Sequence, residues 1–91
     1  MSDGYNLQLA AGAARAIQKD LPEGVAAAVI EFLTGSLIAN PRRVGNPLRR
    51  DLAGLYSARR GTFRVLYRID DAENLVTILR VEHRADAYRR Q

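Results

Sequence analysis

The sequence has 91 residues, enough for one domain and too few for two, and 47% of them are hydrophobic, which favours a folded chain. It contains no cysteine and one histidine, so disulfides, thiolate metal sites and the usual zinc ligand sets are excluded. The formal net charge of +4 is uneven: residues 1–41 sum to −2, whereas residues 42–91 carry twelve arginines and sum to +6. This asymmetry indicates a surface for phosphate groups, and RNA is the predicted polyanion.

Other classes of protein are disfavoured by what the sequence lacks. The first residues do not resemble a signal peptide, and the longest apolar run, residues 25–30, is far too short to span a membrane, so we expect a cytoplasmic protein. No glycine-rich phosphate loop and no nucleophile elbow is found. Asp70, Asp71 and Glu73 could imitate a magnesium cluster, but a turn explains them better. No metal or cofactor is expected.

The first half of the chain is predicted to form one strand and two helices. Residues 5–10 alternate between apolar and polar side chains, as in a strand, and residues 11–20 show helical spacing. Pro22 ends the first helix and can begin the second, which ends at Asn40 because the residue before a proline avoids the α conformation. The apolar stripe of the second helix comprises Val25, Val29, Phe32 and Leu33, with a possible extension to Leu37 and Ile38.

The second half is predicted to consist mainly of strands. A polar, arginine-rich connection over residues 41–50 leads into strands over residues 52–60, 62–69 and 75–82, with a turn over residues 70–74 and a polar tail over residues 83–91. The strand over residues 75–82 is apolar on both faces, which is typical of a strand that is covered on both sides.

This order of elements predicts an α+β fold, β-α-α-β-β-β, forming a single domain over residues 1–91. We expect an antiparallel sheet with two helices packed on one face. On the third strand Phe63, Val65, Tyr67 and Ile69 share the core face, so Arg64 and Arg68 point to the other face. If Tyr56 points to the core, Arg59 joins them there and the sheet offers a cradle for phosphates.

Arginine, histidine and tyrosine are the residues left for catalysis, and they suffice to cleave RNA through its own 2′-hydroxyl. That reaction requires a deprotonated hydroxyl, a stabilised phosphorane and a protonated 5′-oxygen. Arginines can stabilise the phosphorane, and His83 or Tyr88 can move protons. The alternative for His83 is a polar residue that ends a strand, and Tyr88 can instead stack on a base.

The chain resembles the RelE toxins of bacterial toxin–antitoxin pairs along its whole length. The order of its elements also matches that family. The resemblance lies in Asn40-Pro41-Arg42-Arg43-Val44-Gly45, in residues 48–51, in the stretch from Gly54-Leu55-Tyr56 to Phe63-Arg64-Val65-Leu66-Tyr67-Arg68-Ile69, and in Val81-Glu82-His83-Arg84-Ala85-Asp86-Ala87-Tyr88-Arg89.

The resemblance implies an endoribonuclease that enters the ribosomal A site, cuts the mRNA codon held there and so arrests growth. It also implies an acidic cognate antitoxin, with operator DNA bound only through the toxin–antitoxin complex. Arg64 matches the arginine that stabilises the phosphate, Tyr88 matches the C-terminal tyrosine, and Arg84 or His83 occupies the segment of the general acid. The arginines expected to bind RNA are Arg49, Arg50, Arg59, Arg60 and Arg68.

One departure from the family pattern bears on catalysis. Two lysines that the best-known member carries on its second strand fall here at Leu55 and Ser57, so only Arg59 retains a basic residue on that face. One of those lysines is a proposed base, and His83 is a candidate to compensate. Two other functions therefore stay open: a ParE-like toxin that inhibits DNA gyrase by protein contact, and a non-catalytic nucleic-acid-binding relative.

Overall fold

The computed structural model of the protein describes residues 4–83. The helices are α1 (Ala11–Arg15), which continues as a π-helical segment (Ala16–Asp20), α2 (Glu23–Phe32), which continues as a second π-helical segment (Leu33–Leu37), and the short α3 (Pro41–Val44). The strands are β1 (Asn6–Leu9), β2 (Asn46–Pro47), β3 (Leu55–Arg60), β4 (Phe63–Asp70) and β5 (Leu75–His83), and a 3-10 turn (Arg50–Leu52) precedes β3.

The two main helices follow the predicted pattern. Leu21 is extended and Pro22 caps α2, so the proline separates the two helices as expected. The apolar stripe predicted for the second helix faces the core: Val29, Phe32, Leu33 and Leu37 are buried, and Val25 and Ile38 are partly buried. These side chains pack on the sheet and form its helical layer. Within residues 4–83 no helix has both the length and the apolarity that crossing a membrane requires.

The five strands form one sheet in the order β1-β5-β4-β3-β2. The α+β prediction is confirmed, and β3, β4 and β5 pair antiparallel as expected. The short strand β2, which was not predicted, also pairs antiparallel to β3. The antiparallel prediction is wrong for β1, which pairs parallel to β5 with Asn6 opposite Leu75. The intervening helices bring the chain back across the sheet, and such a crossover permits a parallel neighbour. No local pattern encodes a partner that is 69 positions away in the sequence.

The segment between the helices and the sheet is more ordered than its composition suggests. It holds α3 and the two-residue edge strand β2, both of which were expected to be irregular. The next strand starts at Leu55 rather than at Leu52, because Arg50 has a φ of 58° and Gly54 a φ of 98°. A strand cannot continue through these left-handed conformations.

A β-bulge changes the faces of β5. Leu66 is opposite Arg80 and Tyr67 is opposite Ile78, so Leu79 is the extra residue in β5. Val76 and Ile78 before the bulge, and Val81 and His83 after it, are the buried residues of this strand. The expectation of a strand covered on both faces is therefore wrong. The apolar residues look continuous because the extra residue Leu79 moves the core positions from even to odd numbers along the strand.

Tyr67 anchors the sheet to the segment that precedes it. Its side chain is fully buried, stacks on Tyr56 with 5.7 Å between ring centroids, and donates a hydrogen bond of 2.6 Å from Oη to the carbonyl oxygen of Pro41. Burial raises the pKa of Tyr67 to about 12, so the hydroxyl keeps the proton of this hydrogen bond well into the alkaline range. The backbone of Gly45 passes directly over this hydroxyl.

We expect Gly45→Ala to destabilise the protein by about 2–3 kcal/mol, because the added methyl group overlaps a packed interior. An alanine Cβ there would clash with Tyr67 Oη and would lie 2.9 Å from the carbonyl oxygen of Ser57. Gly24→Ala is the matched control, since nothing lies within 4 Å of its Cβ position, and it should stabilise α2 by about 0.5–1 kcal/mol. Urea unfolding measures both. Equal stability of the two variants would contradict the packing described for Gly45.

Candidate nucleic-acid interface

The sheet face that is not packed against the helices, called here the outer face, is built from cross-strand partners. Residues directly opposite each other on neighbouring strands point to the same side of a sheet. Arg59, Arg64 and Glu82 are partners across three strands and form one row. The two adjacent rows on this face are Ser57–Leu66–Arg80 and Leu55–Arg68–Thr77.

The outer face is strongly basic. Arg59, Arg64, Arg68 and Arg80 are all exposed, and Glu82 is the acid among them. Arg59 and Arg68 have no side-chain hydrogen bond or ion pair with any residue from 4 to 83. Asp70, the last residue of β4, lies on the same face by alternation. Four guanidinium groups outnumber these two carboxylates, so the surface has a net positive charge, and the planar guanidinium fork suits phosphate oxygens.

Glu82 connects two of these arginines. Its Oε1 accepts hydrogen bonds from Arg64 Nε at 3.2 Å and from Arg64 Nη2 at 2.8 Å. Its Oε2 lies 3.3 Å from Arg80 Nε. The three side chains remain between 40% and 68% exposed, so the cluster is open to solvent and to a ligand.

The structure brings together three of the residues that the sequence suggested and separates two others from them. Arg59, Arg64 and Arg68 share the outer face. Arg60 lies on the helix-packed side, where its guanidinium carbon is 4.4 Å from the centre of the Phe32 ring. His83 is a buried residue opposite Phe63 on that same side, so it does not share a surface with Arg64.

The remaining predicted residues lie away from these rows or beyond the described part of the chain. Arg50 is the first residue of the 3-10 turn that precedes β3, Arg49 is the residue before it, and both are exposed. Arg84 and Tyr88 fall outside residues 4–83, so the general acid and the C-terminal tyrosine suggested by the resemblance have no described position.

Arg80 and Glu82 are the outer-face residues that the sequence interpretation missed. Alternation counted forward from Val76 without a break would place both on the core side. The bulge at Leu79 moves them to the outer face. The sequence did contain a signal for the bulge. Unbroken alternation would bury both Arg80 and Glu82, and a strand rarely buries two charged side chains in this way.

The acidic turn has a structural role. Asp70 Oδ1 accepts the backbone N–H of Glu73 at 3.0 Å, and Asp71 accepts hydrogen bonds from Tyr5 at 2.6 Å and from Arg42 at 2.8 and 3.2 Å. The hydrogen bonds from Arg42, and then that from Tyr5, hold the pKa of Asp71 below its usual value. The predicted turn is confirmed. Residues 4–83 contain no group of three or more metal-binding side chains.

Comparisons with known proteins identify the family. Residues 8–88 match the model of the ParE toxin of the type II toxin–antitoxin system parDE. The chain is 57% identical to Toxin RelG of Mycobacterium tuberculosis over 86 residues, which cover 94% of this chain and 98% of that protein. It is 50% identical to Toxin RelE of the same organism over 91 residues, which cover 98% and 93% of the two chains.

Solved structures agree with this assignment. The toxin–antitoxin complex RelBE2 from Mycobacterium tuberculosis contains a chain that is 53% identical, with a TM-score of 0.85 over 89% of this chain and 99% of that one. The isolated Escherichia coli RelE toxin, at 21% identity, has a TM-score of 0.72 over 94% of this chain and 97% of that one, and supports the fold alone.

We expect the double variant Arg59→Gln/Arg68→Gln to bind single-stranded RNA more weakly and with a shallower salt dependence. Each phosphate contact contributes roughly 0.7 to the slope of log affinity against log salt, so losing two should reduce it by roughly 1.4. Arg15→Gln/Lys19→Gln removes the same charge from exposed positions on the helical side and serves as the control. Fluorescence anisotropy with a labelled oligoribonucleotide measures both, and equal losses in the two variants would contradict an RNA interface on the outer face.

Proposed function

The chain belongs to the ParE toxin family of type II toxin–antitoxin systems and is a RelE-type toxin within it, and from this we propose that it is a ribosome-dependent endoribonuclease that cuts A-site mRNA. The observation that carries the proposal is the set of exposed arginines around Arg64 on the outer face. Curated relatives named as RelE and RelG toxins, at 50% and 57% identity, support the same assignment.

The proposed reaction is a transesterification within the RNA. The 2′-oxygen loses its proton and bonds to the adjacent phosphorus, the bond from phosphorus to the 5′-oxygen breaks, and the leaving oxygen gains a proton. The products are a 2′,3′-cyclic phosphate and a 5′-hydroxyl. Arg64 stabilises the charge on the phosphorane, a contribution of about 2–4 kcal/mol by analogy with other oxyanion donors. Because the nucleophile comes from the RNA, no metal is required.

The other arginines of the outer face hold the message in place. Arg59 is the cross-strand partner of Arg64, and Arg68 lies further along the same strand, so the two flank the proposed scissile phosphate. Contacts of this kind to neighbouring phosphates strengthen binding without reading the sequence.

Proton transfer is assigned to residues near the end of the chain. Arg84 is the proposed general acid and Tyr88 the proposed stacking or activating residue, both on the family resemblance. His83 is given no part, because its side chain is buried on the helix-packed side of the sheet. The positions of the family's strand lysines are held here by Leu55 and Ser57, so in this proposal the 2′-hydroxyl proton passes to solvent water, to which the outer face is open.

An acidic cognate antitoxin is the proposed partner. The related Mycobacterium tuberculosis RelBE2 structure is a toxin–antitoxin complex. An amphipathic antitoxin segment that becomes ordered on binding would neutralise the basic face. Binding of operator DNA would then belong to the complex, and the toxin would act in the cytoplasm, where the ribosomes are.

Inhibition of DNA gyrase is the second candidate, because the matching family model is that of ParE toxins. It would need a protein contact and no nuclease chemistry. The exposed arginine rows favour RNA over a protein surface, since their charge suits a polyanion. Mapping of mRNA 3′ ends separates the candidates: an interferase leaves ends positioned by codon, whereas a gyrase inhibitor leaves the mRNA intact and blocks supercoiling.

We expect Arg64→Gln to slow cleavage of ribosome-bound mRNA by about a hundredfold or more while binding changes less, because the lost contact is made mainly in the transition state. Single-turnover cleavage on programmed ribosomes measures the rate. Arg15→Gln, an exposed arginine on the helical side, is the control and should cut at the wild-type rate. Wild-type cleavage by Arg64→Gln would remove Arg64 from the site.

We also expect a single 2′-deoxy substitution at the cut site to abolish cleavage, because it removes the attacking oxygen. The message is otherwise unchanged, so its binding to the ribosome serves as an internal control. Continued cutting of the deoxy message would refute the 2′-hydroxyl mechanism while leaving the interferase assignment intact.

A further prediction concerns the antitoxin. Binding of the antitoxin encoded in the adjacent reading frame should suppress cleavage and should weaken oligoribonucleotide binding at least tenfold, because it covers or neutralises the outer face. Anisotropy of the purified complex against the free toxin measures this. An unchanged RNA affinity would place the antitoxin away from the outer face.

A further inference from the structure

Glu82 lies on the outer face but has no part in the proposed reaction. It is the acid among four exposed arginines, and its carboxylate contacts two of them. A negative charge at this place repels the phosphates that the surface is proposed to bind. A polyanion-binding surface would be more basic without it, so its presence calls for a chemical reason.

The geometry of the contact supplies that reason. A guanidinium group has two hydrogen-bonding edges, one formed by Nε with an Nη atom and one formed by the two Nη atoms. Glu82 Oε1 occupies the first edge of Arg64, contacting Nε and Nη2. Within residues 4–83 no other acceptor contacts the Arg64 guanidinium, so both N–H groups of Nη1 stay available for a phosphate.

The register of the sheet fixes the pair in place. Arg64 and Glu82 are direct cross-strand partners on β4 and β5, and Arg59 is the partner of Arg64 on its other side. The bulge at Leu79 is what brings Glu82 to this face. Oε2 of the same carboxylate lies 3.3 Å from Arg80 Nε, so one side chain orients two guanidinium groups.

We propose that Glu82 is a positioning residue for Arg64: it holds the Nε edge of the guanidinium so that the Nη1 end is already directed at the scissile phosphate when RNA arrives. This inference rests on the proposed RNA cleavage. Preorganised donors are effective because no reorientation is needed at the moment of reaction, and small displacements of such groups are costly.

Two other roles for Glu82 fit the contacts less well. As a general base it would have to take the 2′-hydroxyl proton, yet both of its oxygens already face guanidinium groups. As a block on the site it would have to cover the outward end of Arg64, yet it contacts the Nε edge. Each role predicts a different kinetic result, so the experiment separates them.

The test is single-turnover cleavage of programmed ribosomes by the full-length toxin and its Glu82→Gln variant. We expect the maximal rate to fall by about tenfold or more, because a neutral amide cannot hold both guanidinium groups. The toxin concentration for half-maximal rate should stay the same or fall, because a negative charge has been removed. Glu82→Asp, which keeps the charge on a shorter side chain, should recover part of the rate.

Glu73→Gln is the matched control, since it removes the same charge from the exposed β4–β5 turn and should leave both values unchanged. An unchanged or higher maximal rate in Glu82→Gln would overturn the proposal, the higher rate pointing to a block. If the fall in wild-type rate at low pH disappears in Glu82→Gln and returns in Glu82→Asp, Glu82 is a general base and the positioning role is refuted. Absence of cleavage by the wild-type toxin would instead refute the interferase assignment, and the role of Glu82 with it.

The side-chain Nε–H resonance of Arg64 in ¹⁵N NMR spectra gives a readout that is independent of cleavage. In the wild-type protein this group donates to Glu82 and should be protected from exchange with water. In Glu82→Gln the protection should fall, while backbone resonances of β4 and β5 stay in place. Equal protection in both proteins would show that Glu82 does not hold Arg64.

Discussion

Strand β4 lies between β5 and β3, and the side chains of a strand point alternately to its two faces. Phe63, Val65 and Tyr67 therefore enter the core, whereas Arg64 and Arg68 cannot. The buried side chains fix the register, because a shift by one residue would exchange the two faces and bury the arginines. The rest of the outer face depends on this alternation. Residues of β3 and β5 point to the same side of the sheet as the β4 residues that they pair with.

The bulge in β5 extends the same logic to a strand whose sequence does not alternate. It lets Val76, Ile78 and Val81 stay in the core while Arg80 and Glu82 turn outwards beside Arg64. Bulges commonly redirect side chains next to functional sites. The core and the cluster thus occupy opposite faces of the same strands, so that the charges of the outer face can change with little effect on the packing beneath.

Much of the fold could be predicted because its signals are local. Pro22 and Pro41 mark the helix boundaries, and the alternation in β4 placed Arg64 and Arg68 on the outer face. The parallel pairing of β1 with β5 could not be predicted, because it joins distant segments. Local signals also failed where the backbone leaves its regular course, as at Gly54.

The candidate site was predicted less well than the fold. Arg80 and Glu82 were missed because the bulge is marked in the sequence only by the spacing of these two charged residues, and that signal was not used. Arg60 could have been assigned to the helix-packed side from the sequence, since the alternation that points Tyr56 to the core does the same for Arg60. The resemblance pointed to His83 by its residue type and its neighbours. The side of the sheet to which His83 points depends on every residue before it in β5, including the extra residue Leu79.

The parallel pairing of β1 with β5 has a consequence for the order of folding. The antiparallel strands from β3 to β5 are joined by short turns, so their contacts close small loops, whereas pairing Asn6 with Leu75 closes a loop of nearly the whole described chain. Loop closure costs more entropy as the loop lengthens, and distant pairings slow folding. We therefore expect the antiparallel strands β3, β4 and β5 to pair first and β1 to dock late onto the free edge of β5. Side chains at the β1–β5 seam then govern how quickly the native protein opens more than how quickly it forms.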